Sequence, residues 1–225
     1  MSKLPPHACR LRVRYAKDGR LAYLGHLEVM NTICRDVRRA HLPFIVSHGF
    51  AHRMRIQFSQ ALPVGAASRA EYFDLLLEEP IDAARALADL AAATPRALAP
   101  DAAAILPRWV QALEAWADRS LWEVEVAGAT VPAFEEGLRR VREAGFIDFM
   151  RGDKPRRVDV GLTLVSASAE PTKTGIRLSL ETKTAESGSL RPAVLVEAAC
   201  GLRPLRVMRE GQWHEEEDGT LTAPL

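Results

Sequence analysis

The stretch CRLRVRYAK (Cys9–Lys17) decides the fold prediction, because apolar and arginine side chains alternate along it. Leu11, Val13 and Tyr15 occupy every second position, and arginines fill the positions between them. A period of two predicts a β-strand with one face in the core and the other in water. We therefore expect a strand whose wet face is basic.

The segments after this strand follow one order of elements twice. From Gly25 the apolar residues take helical spacing, which predicts a helix. Two strands are then predicted at MRIQFS and AEYFDLLLEE, a second helix at PIDAARALADLAAATP and an edge strand at residues 102–106. SLWEVEVAG begins the same order again with an acidic wet face, and LRPLRVMREGQW ends it. The repeated order predicts an α+β protein of tandem ferredoxin-like (split βαβ) sandwiches, with antiparallel sheets and helices on one face.

The pattern also predicts the domain boundaries. We expect a ferredoxin-like unit with a basic surface at residues 8–107, a connector at 108–119 and a second ferredoxin-like unit at 120–213. Residues 214–225, HEEEDGTLTAPL, are expected to form a frayed acidic tail.

Charge is segregated along the chain although the net charge is only +1. Residues 1–60 hold eleven Lys and Arg against three Asp and Glu, a net charge of +8, so residues 61–225 carry −7. A basic end on a neutral protein can steer a polyanion. The alternative is that the basic part is neutralised by docking on the acidic part, and the sequence leaves both open.

The cysteines and the hydropathy bear on cofactors and location. Cys9, Cys34 and Cys200 are far apart and odd in number, which argues against a disulfide scaffold and against a zinc or iron-sulfur site. We expect no metal and no cofactor. No apolar run approaches the roughly 20 residues of a membrane span, and MSKLPPHACR lacks a secretion signal. These features predict a cytoplasmic protein without membrane contact.

The segment SHGFAHRMR (Ser47–Arg55) is the strongest candidate for ligand contact. His48 and His52 are four apart, which would suit a metal only on a helix, and Gly49 indicates a turn instead. A glycine lets backbone approach a ligand closely, Phe50 offers a stacking face and Arg53 a guanidinium. A hairpin entry with Phe50 as core filler is the alternative.

The first helix supplies the remaining candidates. His26 near its start could bind phosphate or act as an acid or base, or could be a capping or partly buried histidine. Arginines on the polar face could contact phosphate or be solvated charge. The predicted RNA-binding residues are Arg12, Arg14, Lys17, Arg20, His26, Arg35, Arg38, Arg39, His48, Gly49, Phe50, His52, Arg53 and Arg55.

The N-terminal motifs resemble the bacterial family of radical SAM-linked proteins. The similarity lies in YAKDGRLAYLGHLEVM, RDVRRAHLPF, SHGF, IQFSQALPVG and EYFDLLL, and SLRPAVLVEAACGLRPLRVMREGQW is similar to the C-terminal part of that family. Lys17, His26, the helix arginines, Gly49 and Phe50 match. Where the family has an Asn-Pro-His-Pro run, this chain has Ala51–Met54 and keeps only His52.

This resemblance implies an accessory domain that is fused to, or encoded beside, a radical S-adenosylmethionine enzyme. Three hypotheses follow. The first is an RNA-binding or substrate-presenting module for tRNA or rRNA that acts with a radical SAM enzyme and has no catalytic activity of its own. The second is a docking domain for that enzyme without nucleic-acid contact. The third is a metal-independent ribonuclease with His26 as the catalytic residue, which only fold analogy supports.

Overall fold

Residues 4–48, 50–186 and 188–225 are described by the computed structural model of the chain. Their contacts divide the chain into unit 1, Met1–Ala117 with Thr222–Leu225, and unit 2, Asp118–Leu221. Both units mix helices with antiparallel strands. The chain is therefore a mixed α+β protein.

Unit 1 begins with β1, which becomes the centre of its sheet. Its strands are β1 (Cys9–Lys17), β2 (Ile56–Phe58), β3 (Ala67–Leu77) and β4 (Pro100–Pro107). Its helices are α1 (His26–Arg39), α2 (Ala83–Ala93) and the short α3 (Leu113–Trp116), with 3₁₀ turns at Gly19–Tyr23 and Arg96–Leu98. The strands pair antiparallel in the order β4-β1-β3-β2.

One face of this sheet packs against the two longer helices. Leu11 and Val13 of β1 are fully buried together with Val37 of α1 and Leu90 of α2 in one apolar cluster. The helix starts where the sequence indicates, because the Glu28 carboxylate accepts a hydrogen bond of 2.7 Å from the free N–H of Gly25. The apolar half of the β1 prediction is thus confirmed.

The prediction of a wet basic face on β1 is wrong. Arg12 is buried, and Asp74 of β3 accepts hydrogen bonds from both Arg10 and Arg12. This face is covered, since Leu113 of α3 packs on Tyr72 and the carbonyl of Pro224 accepts a hydrogen bond from Arg12. The arginines of this face therefore have carboxylate partners inside unit 1.

Unit 2 contains a second four-stranded antiparallel arrangement. Its strands are β5 (Arg119–Ala127), β6 (Phe146–Arg151), β7 (Lys154–Asp159), β8 (Leu164–Pro171), β9 (Gly175–Ala185), β10 (Gly188–Ser189) and β11 (Arg206–Glu215). Its helices are α4 (Val131–Ala144), the short α5 (Val160–Thr163) and α6 (Pro192–Cys200). Strands β11, β5, β9 and β8 pair antiparallel in that order, and β10 pairs with β9.

The predicted helices and strands of unit 2 are largely in place, with one addition. The patterns of RRVDVGLTLVSASAE and GIRLSLETKT predict a hairpin. The first four residues of its first arm, 156–159, instead lie in β7, which pairs with β6 as a separate two-stranded ribbon. The turn of this ribbon is Gly152 and Asp153, with a positive φ at Gly152. The RGDK turn is the sequence signal that was missed.

The prediction of a frayed tail at residues 214–225 is wrong in part. Strand β11 continues to Glu215, the chain forms β12 at Leu221–Thr222, and Pro224 is buried. Ordered partners hold the segment, because Arg119 of β5 donates two hydrogen bonds to the Glu215 carboxylate and Lys183 of β9 donates a third.

The Glu215 cluster predicts how the stability of unit 2 depends on pH. The hydrogen bonds from Arg119, followed by that from Lys183, lower the pKa of Glu215 from 4.5 to about 2. A carboxylate with a depressed folded-state pKa stabilises the fold above its unfolded pKa and loses this contribution as the pH falls through its folded pKa. We therefore expect the wild-type protein to lose stability between about pH 4.5 and about pH 2 more steeply than a Glu215→Gln variant.

Urea unfolding across this pH range measures the effect. Glu215→Gln is expected to be less stable than wild type at pH 7 and to approach it in acid, where wild-type Glu215 is protonated. Glu197→Gln removes an exposed carboxylate on α6 and serves as the control. Equal pH profiles for wild type and Glu215→Gln would show that the ion cluster does not contribute.

Candidate nucleic-acid interface

Helix α1 presents arginines on the face opposite its buried stripe. Val29, Ile33 and Val37 are buried, while the side chains of Arg35, Arg38 and Arg39 are exposed. The apolar residues recur at intervals of four, which turns the intervening polar positions toward solvent.

The three helix arginines differ in their contacts. Arg35 donates to the Thr32 hydroxyl at 2.9 Å, and Arg38 donates to the carbonyl of Cys34 at 3.0 Å. The Arg38 guanidinium also lies 5.8 Å from the centre of the Phe44 ring. Arg39 is paired with the buried Asp36. In the described part of the chain no carboxylate forms an ion pair with Arg35 or Arg38, so both can bind an external anion.

Burial changes the acid-base properties of two neighbouring groups on α1. Burial raises the pKa of Asp36, against the hydrogen bond from Arg39, which lowers it. Burial also raises the pKa of the Cys34 thiol, with smaller opposing effects from Arg38 and Arg35. Cys34 therefore remains a protonated thiol at neutral pH and is a poor nucleophile.

The segment from Ser47 to Arg53 forms a closed loop. The Ser47 N–H donates to the Arg53 carbonyl at 2.7 Å, and the Ser47 hydroxyl donates to the carbonyl of Ala51 and accepts from the Arg53 N–H. Below the loop Val46 and Met54 form a β-bridge, and Met54 is buried. One serine thus fastens both ends of a loop whose stem reaches the core.

The side chains of this loop point to solvent. Phe50 has a relative exposure of 108%, so the whole ring is accessible, and it is not the core filler that the alternative required. The exposed residues beside it are His48, His52, Arg53 and Arg55, whereas the predicted contact at Gly49 lies outside the described residues. An open aromatic ring among histidines and arginines suits the face of a base and the phosphates beside it.

His26 lies apart from any second catalytic group. Its ring is half-buried and meets the edge of Phe58 with 5.8 Å between ring centres. Among the residues that the structure describes, no hydrogen bond or ion pair links His26 to another acid or base. His26 is therefore partly buried, which is one of the alternatives that the sequence left open, and the geometry offers no support for general acid-base catalysis at this position.

The strand residues of the predicted RNA-binding set are not part of an open surface. Arg12 is held by Asp74, and the buried Lys17 donates to the carbonyl of Leu24 at 2.8 Å. Arg14 is partly exposed but paired with Asp101 at 2.7 Å. Arg20 is exposed on the 3₁₀ turn that follows β1. The candidate interface therefore consists of α1 and the loop, without β1.

Asp74 is the important residue that sequence reasoning missed. It stands within YFDLLL (residues 72–77), where its carboxylate interrupts an apolar run. A charged residue inside a buried strand requires a partner of opposite charge. This signal, combined with the arginine alternation of β1, could have indicated the ion pairs.

The described residues form neither a metal-binding cluster nor a helix that could cross a membrane. In the described ranges, no three side chains of the His, Cys, Asp and Glu types converge in a geometry suitable for a metal ion. Among the described helices, none has the length and the hydropathy that crossing a membrane would require.

Comparisons with known proteins identify a family but no activity. No curated protein matches the chain. A crystal structure of an unknown protein from Galdieria sulphuraria is similar at 10% identity, with 78% of this chain and 80% of that chain covered, but its TM-score of 0.26 carries no argument. The profile of a family described as an uncharacterized protein conserved in bacteria, DUF2344, matches residues 10–192, most of the chain. The chain therefore belongs to the bacterial DUF2344 family.

Proposed function

We propose that this protein is an accessory module that binds RNA, such as tRNA or rRNA, and presents it to a partner enzyme. The contact surface consists of the Ser47–Arg55 loop together with the unpaired arginines of α1, Arg35 and Arg38. The observation that carries the proposal is the complete exposure of Phe50 beside two histidines and two arginines.

The two parts of this surface contribute different interactions. Stacking of a base on an aromatic side chain contributes about 1 to 3 kcal/mol and tolerates different bases. Arginines that contact phosphates release counterions, which makes binding weaker as salt rises. RNA with unstacked bases suits this combination better than a closed duplex does.

Both units are proposed to be split βαβ, ferredoxin-like sandwiches in tandem. The strand order β4-β1-β3-β2 in unit 1 and the order β11-β5-β9-β8 in unit 2 support this interpretation. Each order places the first strand of the unit between its third and fourth strands. In unit 2 the β6–β7 ribbon and α5 are then an insertion between the first helix and the second strand.

The proposed partner is a radical SAM enzyme, as the resemblance to radical SAM-linked proteins implies. Such an enzyme and its RNA substrates are cytoplasmic in bacteria, so the proposal includes a cytoplasmic location. A second candidate function is docking on that enzyme without RNA. It is favoured by an apolar surface at the entry to α1, where Tyr23, Leu27 and Val64 are 73%, 72% and 66% exposed.

Replacement of Phe50 tests the proposal directly. Phe50→Ala is expected to weaken binding of labelled tRNA about tenfold or more, because one stacked base is lost. The matched control is Tyr23→Ala, which removes another exposed aromatic ring of unit 1 from the apolar surface. Electrophoretic mobility at about 50 and about 200 mM salt measures both variants, and wild-type binding should fall steeply with salt.

Charge reversal on the helix completes the test. Arg35→Glu with Arg38→Glu should reduce retardation further, whereas Arg85→Glu, at an exposed position of α2, should not. Absence of any salt-sensitive retardation of wild type would contradict RNA binding and favour docking. Equal losses in Phe50→Ala and Tyr23→Ala would contradict the role of the loop.

A further inference from the structure

The β6–β7 ribbon separates its side chains into two chemically different faces. Cross-strand partners in an antiparallel pair lie on the same face, and successive pairs alternate between faces. The pair Ile147 and Val158 is buried, which marks the inner face. The next pairs on the same inner face, toward the turn of the ribbon, are Phe149 with Arg156 and Arg151 with Lys154.

The outer face of the ribbon has one cation, and that cation is already paired. Arg157 makes two hydrogen bonds with Asp148, at 2.7 and 2.8 Å, and its guanidinium lies 3.9 Å from the centre of the Phe146 ring. Met150 and Pro155 form the next pair along this face. The cation on this side is therefore already engaged by a carboxylate and an aromatic ring.

The inner face has cations without counter-charges. Arg151, Lys154 and Arg156 are exposed, and no ion pair is formed by any of them in the part of the chain that the structure describes. Helix α6 packs against β6, and Arg191 at its start adds a fourth positive charge. Burial lowers the pKa of Arg191, and repulsion from Arg151 lowers it further. Asp153 in the turn is the carboxylate next to this group in sequence. Cations that repel one another are stabilised when a polyanion binds them.

We propose that the inner face of the β6–β7 ribbon is a second RNA-binding surface, in which Arg151, Lys154, Arg156 and Arg191 contact the phosphate backbone of a single strand. The inference extends the RNA-binding function proposed above to unit 2, and the two surfaces are formed by different units. Arginine guanidinium groups match phosphate oxygens in pairs, and Phe149, which lies between the cations on this face, can stack on a base.

The outer face favours RNA over a lipid surface as the occupant. An element that lies in a membrane interface immerses its apolar side in the lipid. Here the apolar side includes the Asp148–Arg157 pair, and immersion would remove both charges from water at a cost of several kcal/mol. A polyanion in water contacts the inner face alone and leaves this pair hydrated.

Neutralisation of the three ribbon cations tests the inference on the full chain. Arg151→Gln, Lys154→Gln and Arg156→Gln are combined, and binding of labelled poly(U) RNA of about 20 nucleotides is titrated against salt. We expect about tenfold or weaker binding and a salt slope smaller by about 2, as three phosphate contacts with a single strand imply. The control combines Arg139→Gln, Arg140→Gln and Arg142→Gln on α4, which changes the net charge equally on exposed positions of the same unit.

The outcomes separate this inference from the proposal for the loop. A loss in the ribbon variant but not in the α4 variant supports the ribbon, even where Phe50→Ala binds normally and the loop proposal fails. A loss in Phe50→Ala with normal binding by the ribbon variant overturns the ribbon and retains the loop. Equal losses in the ribbon and α4 variants would show that only net charge matters and would overturn the ribbon proposal. Binding of the wild type to phosphatidylglycerol vesicles that the ribbon variant loses, without any RNA binding, would overturn it as well.

Discussion

Replacement of Asp74 by asparagine is expected to lower the free energy of unfolding by about 3 to 5 kcal/mol. The Asp74 side chain is 0% exposed and accepts hydrogen bonds of 2.8 and 3.0 Å from Arg12 and one of 2.9 Å from Arg10. The amide would leave two guanidinium groups, 6% and 13% exposed, without a negative partner. Uncompensated buried charge is among the most destabilising changes that a point mutation can cause.

Urea unfolding at pH 7 measures this effect, and Asp101→Asn is the matched control. Asp101 forms one ion pair with Arg14 on the same sheet, but these side chains are 52% and 38% exposed, so its loss should cost less than about 1 kcal/mol. Arg12 also contacts the Pro224 carbonyl and lies 5.8 Å from the Trp116 ring, so the region around α3 should loosen with it. Equal effects of the two substitutions would contradict a buried role for Asp74.

The same ion pairs explain why the sequence predicted β1 correctly but not the environment of its polar face. Alternation along CRLRVRYAK is a local property, and it identified Leu11 and Val13 as core residues. The partner of Arg12 is 62 residues away in sequence, on β3. A local sequence pattern does not reveal which strands will be neighbours in the sheet. The carboxylate partners of the arginines could therefore not be predicted from the alternation of β1 alone.

In unit 2, local signals were sufficient for the two longer helices, α4 and α6, but not for the short α5 or for the ribbon. Helix α4 has Thr130 as its N-cap and ends at Gly145, whose φ of 78° is the left-handed conformation that favours glycine. Both residues were visible signals in the sequence. The β6–β7 ribbon has a turn signal, but its arms are short and mostly exposed, so their hydrophobic alternation is weak.

The part of the candidate RNA surface that one contiguous segment forms could be predicted from the sequence. Gly49 and the mixture of aromatic and basic residues predicted a turn with ligand contacts at Ser47–Arg55, and the exposure of Phe50 excludes the alternative of a core filler. The loss of Arg12 and Lys17 from that surface could not be predicted, because both are buried by tertiary contacts. The functional assignment of the loop remains a prediction that the RNA experiments test.

Replacement of Gly137 by alanine is expected to destabilise unit 2 by about 1 to 3 kcal/mol. A methyl group at this position of α4 would lie 1.9 Å from the carbonyl oxygen of Ala199 and 2.6 Å from its carbonyl carbon. The obstacle is the backbone of α6 and not a mobile side chain, so the two helices must move apart and the surrounding core must loosen. Alanine has the higher helix propensity by about 1 kcal/mol, but this gain is smaller than the cost of separation.

The controls for Gly137→Ala follow from the same geometry. Gly161→Ala in α5 places its methyl group 3.4 Å from an oxygen of the Asp159 side chain, so it should change stability by less than about 1 kcal/mol. Ala199→Gly should not rescue Gly137→Ala, because it leaves the clashing carbonyl in place. Urea unfolding followed by circular dichroism compares these variants. Wild-type stability in Gly137→Ala, or rescue by Ala199→Gly, would mean that α4 and α6 do not meet at Gly137 as closely as described.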